Sequence, residues 1–125
     1  MGNYAVDIKN VKPLTEKGGE IFVLLSPKTV GTENLIMGRG VTPVGTGVKK
    51  HVHNYSEELF WVEQGEGIIY YSTGEKINFH AGMAIRVPKG IEHWIENTGK
   101  NDLIVIFASA PLAPRSEDGD KVTEK

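Results

Sequence analysis

Three of the four histidines of this chain lie in two short segments whose spacing is typical of metal ligands. His51 and His53 are separated by one residue, so on a β-strand their side chains point to the same face, one strand pitch apart. Glu58 follows a short polar turn, and His93 follows a second turn at Pro88–Gly90. Three imidazoles and one carboxylate suit a divalent ion of iron, manganese, nickel, cobalt or zinc, with two octahedral positions open to water or substrate. Calcium and magnesium would require more oxygen ligands.

These two segments resemble the two sequence motifs of the cupin superfamily. The first motif is Gly, five residues, His-x-His, three or four residues, Glu, six residues and Gly, and this chain matches it at Gly45, His51, His53, Glu58 and Gly65. The second is Gly, five residues, Pro-x-Gly, two residues, His, three residues and Asn, matched at Gly82, Pro88, Gly90, His93 and Asn97. Met83 stands where many cupins carry Asp, but this position is not a ligand. The resemblance spans residues 45–97 and implies that the metal ligands are His51, His53, Glu58 and His93.

The elements that must position these side chains read as short β-strands. Fifteen glycines and six prolines divide the chain into runs rich in Val, Ile, Phe, Tyr and Trp, and no run keeps a helical period. We expect strands at Ile21–Leu25, Leu35–Arg39, Gly47–Val52, Glu58–Glu63, Gly67–Tyr71, Lys76–Phe79, Ala84–Val87, His93–Glu96 and Leu103–Ser109. This pattern predicts an all-β sandwich or closed barrel. The resemblance implies the single-domain cupin form of it, a double-stranded β-helix or jelly-roll barrel.

A chain of 125 residues is about the size of one domain. We place the barrel at residues 21–112. Residues 1–20 form an N-terminal arm whose alternating apolar residues could pair with a partner subunit as a swapped strand. Residues 113–125 are almost wholly polar and are expected to form a flexible tail.

Composition narrows the classes of partner. The charged fraction is 24% and the formal net charge is -2, so the chain offers no broad basic surface for nucleic acid or anionic lipid. The absence of cysteine excludes disulfides, thiolate zinc sites and iron–sulfur clusters. Without a signal-peptide core or a long apolar run, we expect a soluble cytoplasmic protein that binds a small molecule rather than a membrane.

Three residues are candidates for contact with the substrate. Phe60 shares the strand face of Glu58 and should line the pocket, although filling the core would require the same residue. Lys49 has the strand parity of His51, so it either binds an anionic substrate or is a surface lysine. Arg39 could bind a carboxylate if its face of the strand is inward.

Two tryptophans are expected on the outside of the barrel. Trp61 and Trp94 each neighbour an inward residue in the sequence, so alternation turns them outward. Aromatic residues are enriched at interfaces, and dimers are common among cupins, so we expect a homodimer. The remaining histidine, His80, lies outside both motifs and is interpreted as a solvated loop residue.

The resemblance implies an enzyme that binds a small oxygen-bearing substrate at one divalent transition-metal ion per subunit. Iron(II) or manganese(II) is favoured over nickel, cobalt or zinc, and iron(II) dioxygenase chemistry is the first expectation. The alternatives are a non-redox lyase or isomerase that works by Lewis-acid enolisation, and a non-catalytic cupin that binds a sugar or another small molecule. No catalytic residue is assigned.

Overall fold

The structure, a computed structural model that describes residues 3–115 and 121–123, consists of two antiparallel five-stranded sheets. The strands are β1 (Glu20–Leu25), β2 (Ile36–Thr42), β3 (Gly47–Val52), β4 (Glu57–Gln64), β5 (Glu66–Tyr71), β6 (Lys76–His80), β7 (Ala84–Val87), β8 (His93–Asn97), β9 (Leu103–Ala110) and β10 (Lys121–Val122). One sheet has the order β1-β2-β9-β4-β7 and the other β10-β3-β8-β5-β6. Successive strands repeatedly change sheet, which is the winding of a double-stranded β-helix. The predicted all-β fold class is confirmed.

The hydrophobic core lies between the two sheets. In β4, Phe60 and Val62 are buried, whereas Leu59 and Trp61 are exposed, as expected for a strand with one face on the core. The ring of Phe60 meets the ring of Phe79 from β6 edge-on, with centroids 5.9 Å apart. The buried cluster contains Phe60, Val62, Ile69, Tyr71, Phe79, Ile85, Val87 and Leu103. Each such side chain stabilises the fold by roughly 1.5–3 kcal/mol relative to exposure, so the core holds the sheets together.

Asn97, the last residue of β8, links the two sheets at one end of the core. Its side-chain amide donates hydrogen bonds to the carbonyl oxygens of Thr42 at 2.9 Å and Asn101 at 3.0 Å. Its side-chain oxygen accepts a hydrogen bond from the Gly99 amide at 2.9 Å. Because Asn97 is buried, these bonds satisfy groups that water cannot reach.

All nine predicted strands are present, and most differ from the prediction by one residue at an end. The largest difference is β2, which continues to Thr42 instead of ending at Arg39. Thr42 still pairs with Leu103 of β9, so backbone pairing extends the strand through a glycine-rich stretch with little side-chain signal.

Residues 3–19 lie outside both sheets. They contain a short 3-10 helix, Ile8–Asn10, and one isolated bridge between Leu14 and Ile21. Exchange of this arm between subunits stays a prediction. Within the described ranges, no helix has the length and apolar content that a membrane crossing requires.

Two residues of the C-terminal segment form a short strand, and the flexibility of this segment stays a prediction. Lys121–Val122 pairs with β3, with Val122 opposite His51, and the Thr123 amide donates to the Lys50 carbonyl oxygen at 2.8 Å. An edge strand such as β3 presents unpaired backbone groups, which can bind a polar segment as readily as an apolar one. Residues 116–120 and 124–125 of the expected tail lie outside the described residues.

Candidate metal centre

Three of the four candidate ligands lie on strands, one each on β3, β8 and β4, and the fourth directly follows β3. His51 in β3 and His93, the first residue of β8, are direct cross-strand partners. His53 follows β3 by one residue, and its carbonyl oxygen accepts a hydrogen bond from the Gly90 amide at 2.8 Å. Glu58 lies on β4 in the opposite sheet. The structure thus brings the two predicted motifs together between the sheets.

The three imidazoles form a compact buried cluster. His51, His53 and His93 are 4%, 7% and 1% exposed, and one candidate ligand atom from each lies within 4.8 Å of the others. An Oε2 atom of Glu58 lies 3.8 Å from Nε2 of His53. Two nitrogens that each bind one ion at about 2.1 Å are at most about 4.2 Å apart, so a small contraction is sufficient for shared coordination.

Backbone hydrogen bonds fix the orientation of two of the rings. Nδ1 of His51 lies 2.6 Å from the Lys49 carbonyl oxygen, and Nδ1 of His93 lies 3.0 Å from the Ile91 carbonyl oxygen. A carbonyl oxygen only accepts, so each Nδ1–H donates and each neutral ring keeps its lone pair on Nε2. Nε2 of His93 is buried and has no hydrogen-bond partner among the described residues. A buried polar atom in that state costs roughly 1–3 kcal/mol, which coordination of a metal would offset, so the residues fit a bound ion.

Local irregularity in β3 makes the His51 hydrogen bond possible. The β3–β8 register shifts between Val48 and His51, so Val48 and His51 both line the same cavity. Lys49 lies within this bulge, with an exposed side chain. Its amide donates to the Lys17 carbonyl oxygen at 2.9 Å, and its own carbonyl accepts from His51.

Burial also sets the protonation of the cluster. Burial lowers the pKa of His51 to about 2, with further lowering by His93 and by the ammonium group of Lys17. Burial likewise lowers the pKa of His93. Both rings are therefore neutral at neutral pH, which is the form that binds a metal. Burial raises the pKa of Glu58 to about 7, and the Lys17 ammonium partly opposes that rise.

A cavity of about 80 Å³ adjoins the ligands. His51, Glu58 and His93 supply part of its polar surface. Its walls are mainly apolar and are formed by Ile21, Val48, Phe60, Ile95, Leu103, Val105 and Phe107. The enclosed volume corresponds to only a few water molecules, so it can hold a small ligand or one end of a larger one.

The three predicted substrate residues are placed differently. Phe60 lines the cavity and also belongs to the core, so both interpretations of it hold. The structure places Lys49 outside the cavity because the β3 bulge shifts the alternation on which its prediction depended. Gly38 and Gly40 occupy the buried face of β2, so Arg39 lies on the other face beside residues 5–8, and the inward orientation that its proposed role required is absent.

Lys17 is a cavity residue that the sequence did not reveal. It is partly buried, lines the cavity with Glu58 and His93, and comes from the N-terminal arm. The only sequence signal for this position is that Lys17 precedes the pair Gly18–Gly19. Such a pair predicts a turn but does not indicate which part of the protein the turn contacts.

The outer residues largely match expectation. Trp61 is 45% exposed. Trp94 is half-buried because it stacks on Tyr70, with ring centroids 5.3 Å apart, and Lys50 lies over its ring. His80 is exposed, as expected, but it is the last residue of β6 and not a loop residue, and it is not part of the histidine cluster.

Comparison with known proteins gives consistent matches. A family model described as a cupin domain matches residues 38–109, more than half of the chain. Polyketide synthase CurC of Streptomyces cyaneus is 32% identical over 119 residues, covering 95% of this chain and 77% of that protein. An oxalate-binding protein of Thermotoga maritima is 31% identical over 84 residues, 67% of this chain and 69% of that protein. The crystal structure of a predicted oxalate decarboxylase from Thermotoga maritima superposes with a TM-score of 0.72 at 27% identity, covering 87% of this chain and 100% of that one.

We predict that the protein purified without a polyhistidine tag contains close to one equivalent of iron or manganese per subunit. The variant H51A should lose at least nine-tenths of that metal, because it removes one ligand and opens the buried cluster to water. The control H80A, an exposed histidine outside the cluster, should retain it. Elemental mass spectrometry of the dialysed proteins measures both, and an H51A protein with undiminished metal would rule out this site.

We also predict that E58Q stabilises the metal-free protein at high pH. Because the folded-state pKa of Glu58 is raised to about 7, its neutral form favours the fold at low pH, and this contribution is lost as pH rises toward and through 7. Gln keeps the shape of the side chain without its charge. The free energy of unfolding of E58Q should therefore exceed that of the wild type by about 1–3 kcal/mol at pH 8. The difference should shrink as pH falls toward 4.5.

Urea denaturation in the presence of a chelator measures this effect. The exposed residue Glu33 offers a control, because E33Q should leave the pH profile unchanged. A lower stability of E58Q at pH 8 would show that the carboxylate is not destabilised by its burial.

Proposed function

The chain belongs to the cupin family, and from this premise we propose that it is a metal-dependent enzyme acting on a small substrate that presents two neighbouring oxygen atoms. The observation that supports this proposal is the convergence of His51, His53, His93 and Glu58 beside one apolar cavity. Such a donor set suits one divalent ion per subunit, with iron(II) or manganese(II) favoured over nickel, cobalt or zinc.

The three imidazoles and Glu58 would hold the ion, and the cavity would hold the substrate. When bound, the ion would supply Lewis-acid polarisation of a carbonyl and, if it is iron(II), electrons for the activation of dioxygen. The apolar walls exclude water, which strengthens the interaction of a charged substrate with the polar groups that remain. A carboxylate that leaves the ion can take up a proton, so Glu58 would also be placed to act as a base.

The names of the relatives support a substrate with two closely spaced oxygens. They include two polyketide synthase proteins, CurC and tetracenomycin protein TcmJ of Streptomyces glaucescens, and an oxalate-binding protein. Polyketides carry repeated carbonyl groups, and oxalate carries two adjacent carboxylates. The small cavity volume favours a substrate of oxalate or diketone size. It would also accept the reacting end of a longer substrate whose remainder lies outside the cavity.

Two chemistries fit this site. Both would require an electron-rich substrate that binds through its own oxygen atoms. Iron(II)-dependent cleavage of a diketone or catechol by dioxygen is the form that the sequence favoured. Lewis-acid enolisation or decarboxylation without dioxygen is the second form, and the ammonium of Lys17 at the cavity favours it because a cation stabilises an enolate. A role in binding a sugar or another small molecule without catalysis is the third candidate, and the name of the oxalate-binding protein among the relatives supports it.

We predict substrate turnover that requires both the metal and its ligands. Protein loaded with iron(II) or manganese(II) is incubated with 2,4-pentanedione, catechol or oxalate, while an oxygen electrode and liquid chromatography record the reaction. At least one substrate should be consumed, and H93A should lower the rate by a hundredfold or more. Oxygen uptake identifies the dioxygenase form, and turnover without it identifies the non-redox form. Binding of these compounds without any turnover would contradict an enzymatic role.

We further propose that the outer face of the β1-β2-β9-β4 sheet forms a homodimer interface. Leu59 and Trp61 are 54% and 45% exposed, and Trp61 lies opposite Ile106 of β9, which extends the apolar surface. Exposed apolar surface of this kind favours association, with aromatic residues at its centre. The cytoplasmic location expected from the sequence stays a prediction.

We predict a mass of twice the 13.7 kDa subunit in light scattering coupled to size exclusion. The substitution W61E should shift the protein toward the monomer, because a buried unpaired carboxylate opposes association. The control I77E changes an exposed residue of β6 in the other sheet and should leave the mass unchanged. A monomeric wild-type protein at micromolar concentration would exclude this interface.

A further inference from the structure

Lys17 brings a positive charge to the candidate metal cavity from outside the sequence motifs. It lines the cavity together with His51, Glu58 and His93, although it lies on the N-terminal arm and not on a barrel strand. Its ammonium interacts electrostatically with the carboxylate of Glu58. Lysine is seldom placed among buried groups without a partner or a task, and Glu58 and Glu16 are both close enough to interact with its charge.

The backbone around Lys17 is held tightly in place. The carbonyl oxygen of Lys17 accepts a hydrogen bond from the Lys49 amide at 2.9 Å, and the amide and carbonyl of Leu14 bond to those of Ile21 at 2.8 and 2.9 Å. Lys17 therefore lies in a short turn that is closed by hydrogen bonds between its own ends. The turn is also hydrogen-bonded to the bulge of β3, the strand that carries His51.

Two glycines make this turn possible. Gly18 and Gly19 have φ angles of +91° and +67°, a region that other residues rarely adopt. A Cβ atom at Gly18 would lie 2.6 Å from the Gly47 carbonyl oxygen, and one at Gly19 would lie 2.3 Å from the Val41 carbonyl oxygen. The turn is therefore pressed against the backbones of β2 and β3, and Lys17 is held in a defined position beside the ligands.

The balance of charge in the cavity shows what this placement selects. Imidazoles bind a metal in their neutral form, so they add no charge to the site. Two carboxylates, Glu58 and Glu20, line the cavity, so a divalent ion and the Lys17 ammonium together exceed their negative charge by one. Most of the surrounding walls are apolar, and net charge in such surroundings is costly unless a ligand compensates it. A ligand that carries negative charge on closely spaced oxygens would offset this excess, whereas a neutral ligand would leave it.

We propose that Lys17 selects anionic substrates by binding one oxygen of a carboxylate or enolate whose other oxygen reaches the ion. This inference rests on the proposed function and adds a substrate class to it. The class is small anionic ligands with two closely spaced oxygen atoms, such as dicarboxylates, 2-oxo acids and enolates of diketones. In this proposal Lys17 binds the substrate, and the motif residues hold the metal.

The test compares two probes of nearly equal shape. Oxalate is a dianion, whereas oxamide replaces both of its carboxylates by neutral amides. Calorimetric titration of the manganese-loaded protein measures both affinities in the wild type and in K17M, which keeps the length of the side chain and removes its charge. The preference of the ion itself for an anion is common to both proteins, so the change in the oxalate-to-oxamide ratio reports Lys17.

We expect K17M to lower that ratio fivefold or more, and we expect K17R to restore most of it because it restores the charge. K49Q, which alters the exposed lysine of the same region, should leave the ratio unchanged. Metal content and melting temperature are measured for each variant, so loss of the site is recognised separately. An equal loss of affinity for both probes in K17M, or no loss, would overturn the inference while the metal-site proposal stands. Failure of the manganese-loaded wild type to bind either probe would overturn both.

Discussion

The hydrogen bond from the His51 imidazole to the Lys49 carbonyl is the interaction on which the rest of the site depends. It forms because the β3 bulge releases that carbonyl from the pairing with β8. The same bulge turns the Lys49 side chain outward and lets its amide bond to Lys17. The bulge in β3 thus determines three features of the site. It sets the tautomer of His51, it keeps the Lys49 side chain out of the cavity wall, and it provides the amide that holds the N-terminal arm at Lys17.

The arrangement of the sheets explains why the ligands remain buried and close together. Glu58 reaches the cluster from β4 in one sheet, and the histidines reach it from the other, so the distance between the sheets determines the size of the site. Phe60, two residues along from Glu58, fills the adjoining core against Phe79. A packed interior resists compression and expansion, so the core maintains the separation that the ligands require.

The sequence predicted the strands well, because alternation and turn residues are local signals. The four candidate ligands came from the spacing of the two motifs; the structure brings them close together, and their coordination of an ion stays a prediction. The sequence left the face of Arg39 open because the inward positions of β2 are the glycines Gly38 and Gly40, which give no apolar pattern from which to infer the face. It left the role of Lys49 open because a bulge cannot be inferred from alternation. Lys17 was missed because its contact with the cavity depends on pairing between distant segments.

The ligands and the cavity lysine are encoded in separate stretches of the chain. The histidines and Glu58 lie within residues 51–93, whereas Lys17 lies in the turn between Leu14 and Ile21, held by two glycines against the strand backbones. Backbone hydrogen bonds and the two glycines fix the turn, so the side chain at position 17 can change while the backbone contacts that support the His51 strand remain. The charge presented to the substrate is thus separable from the geometry of the ligands, and a single substitution at this position would alter substrate preference in the same metal site.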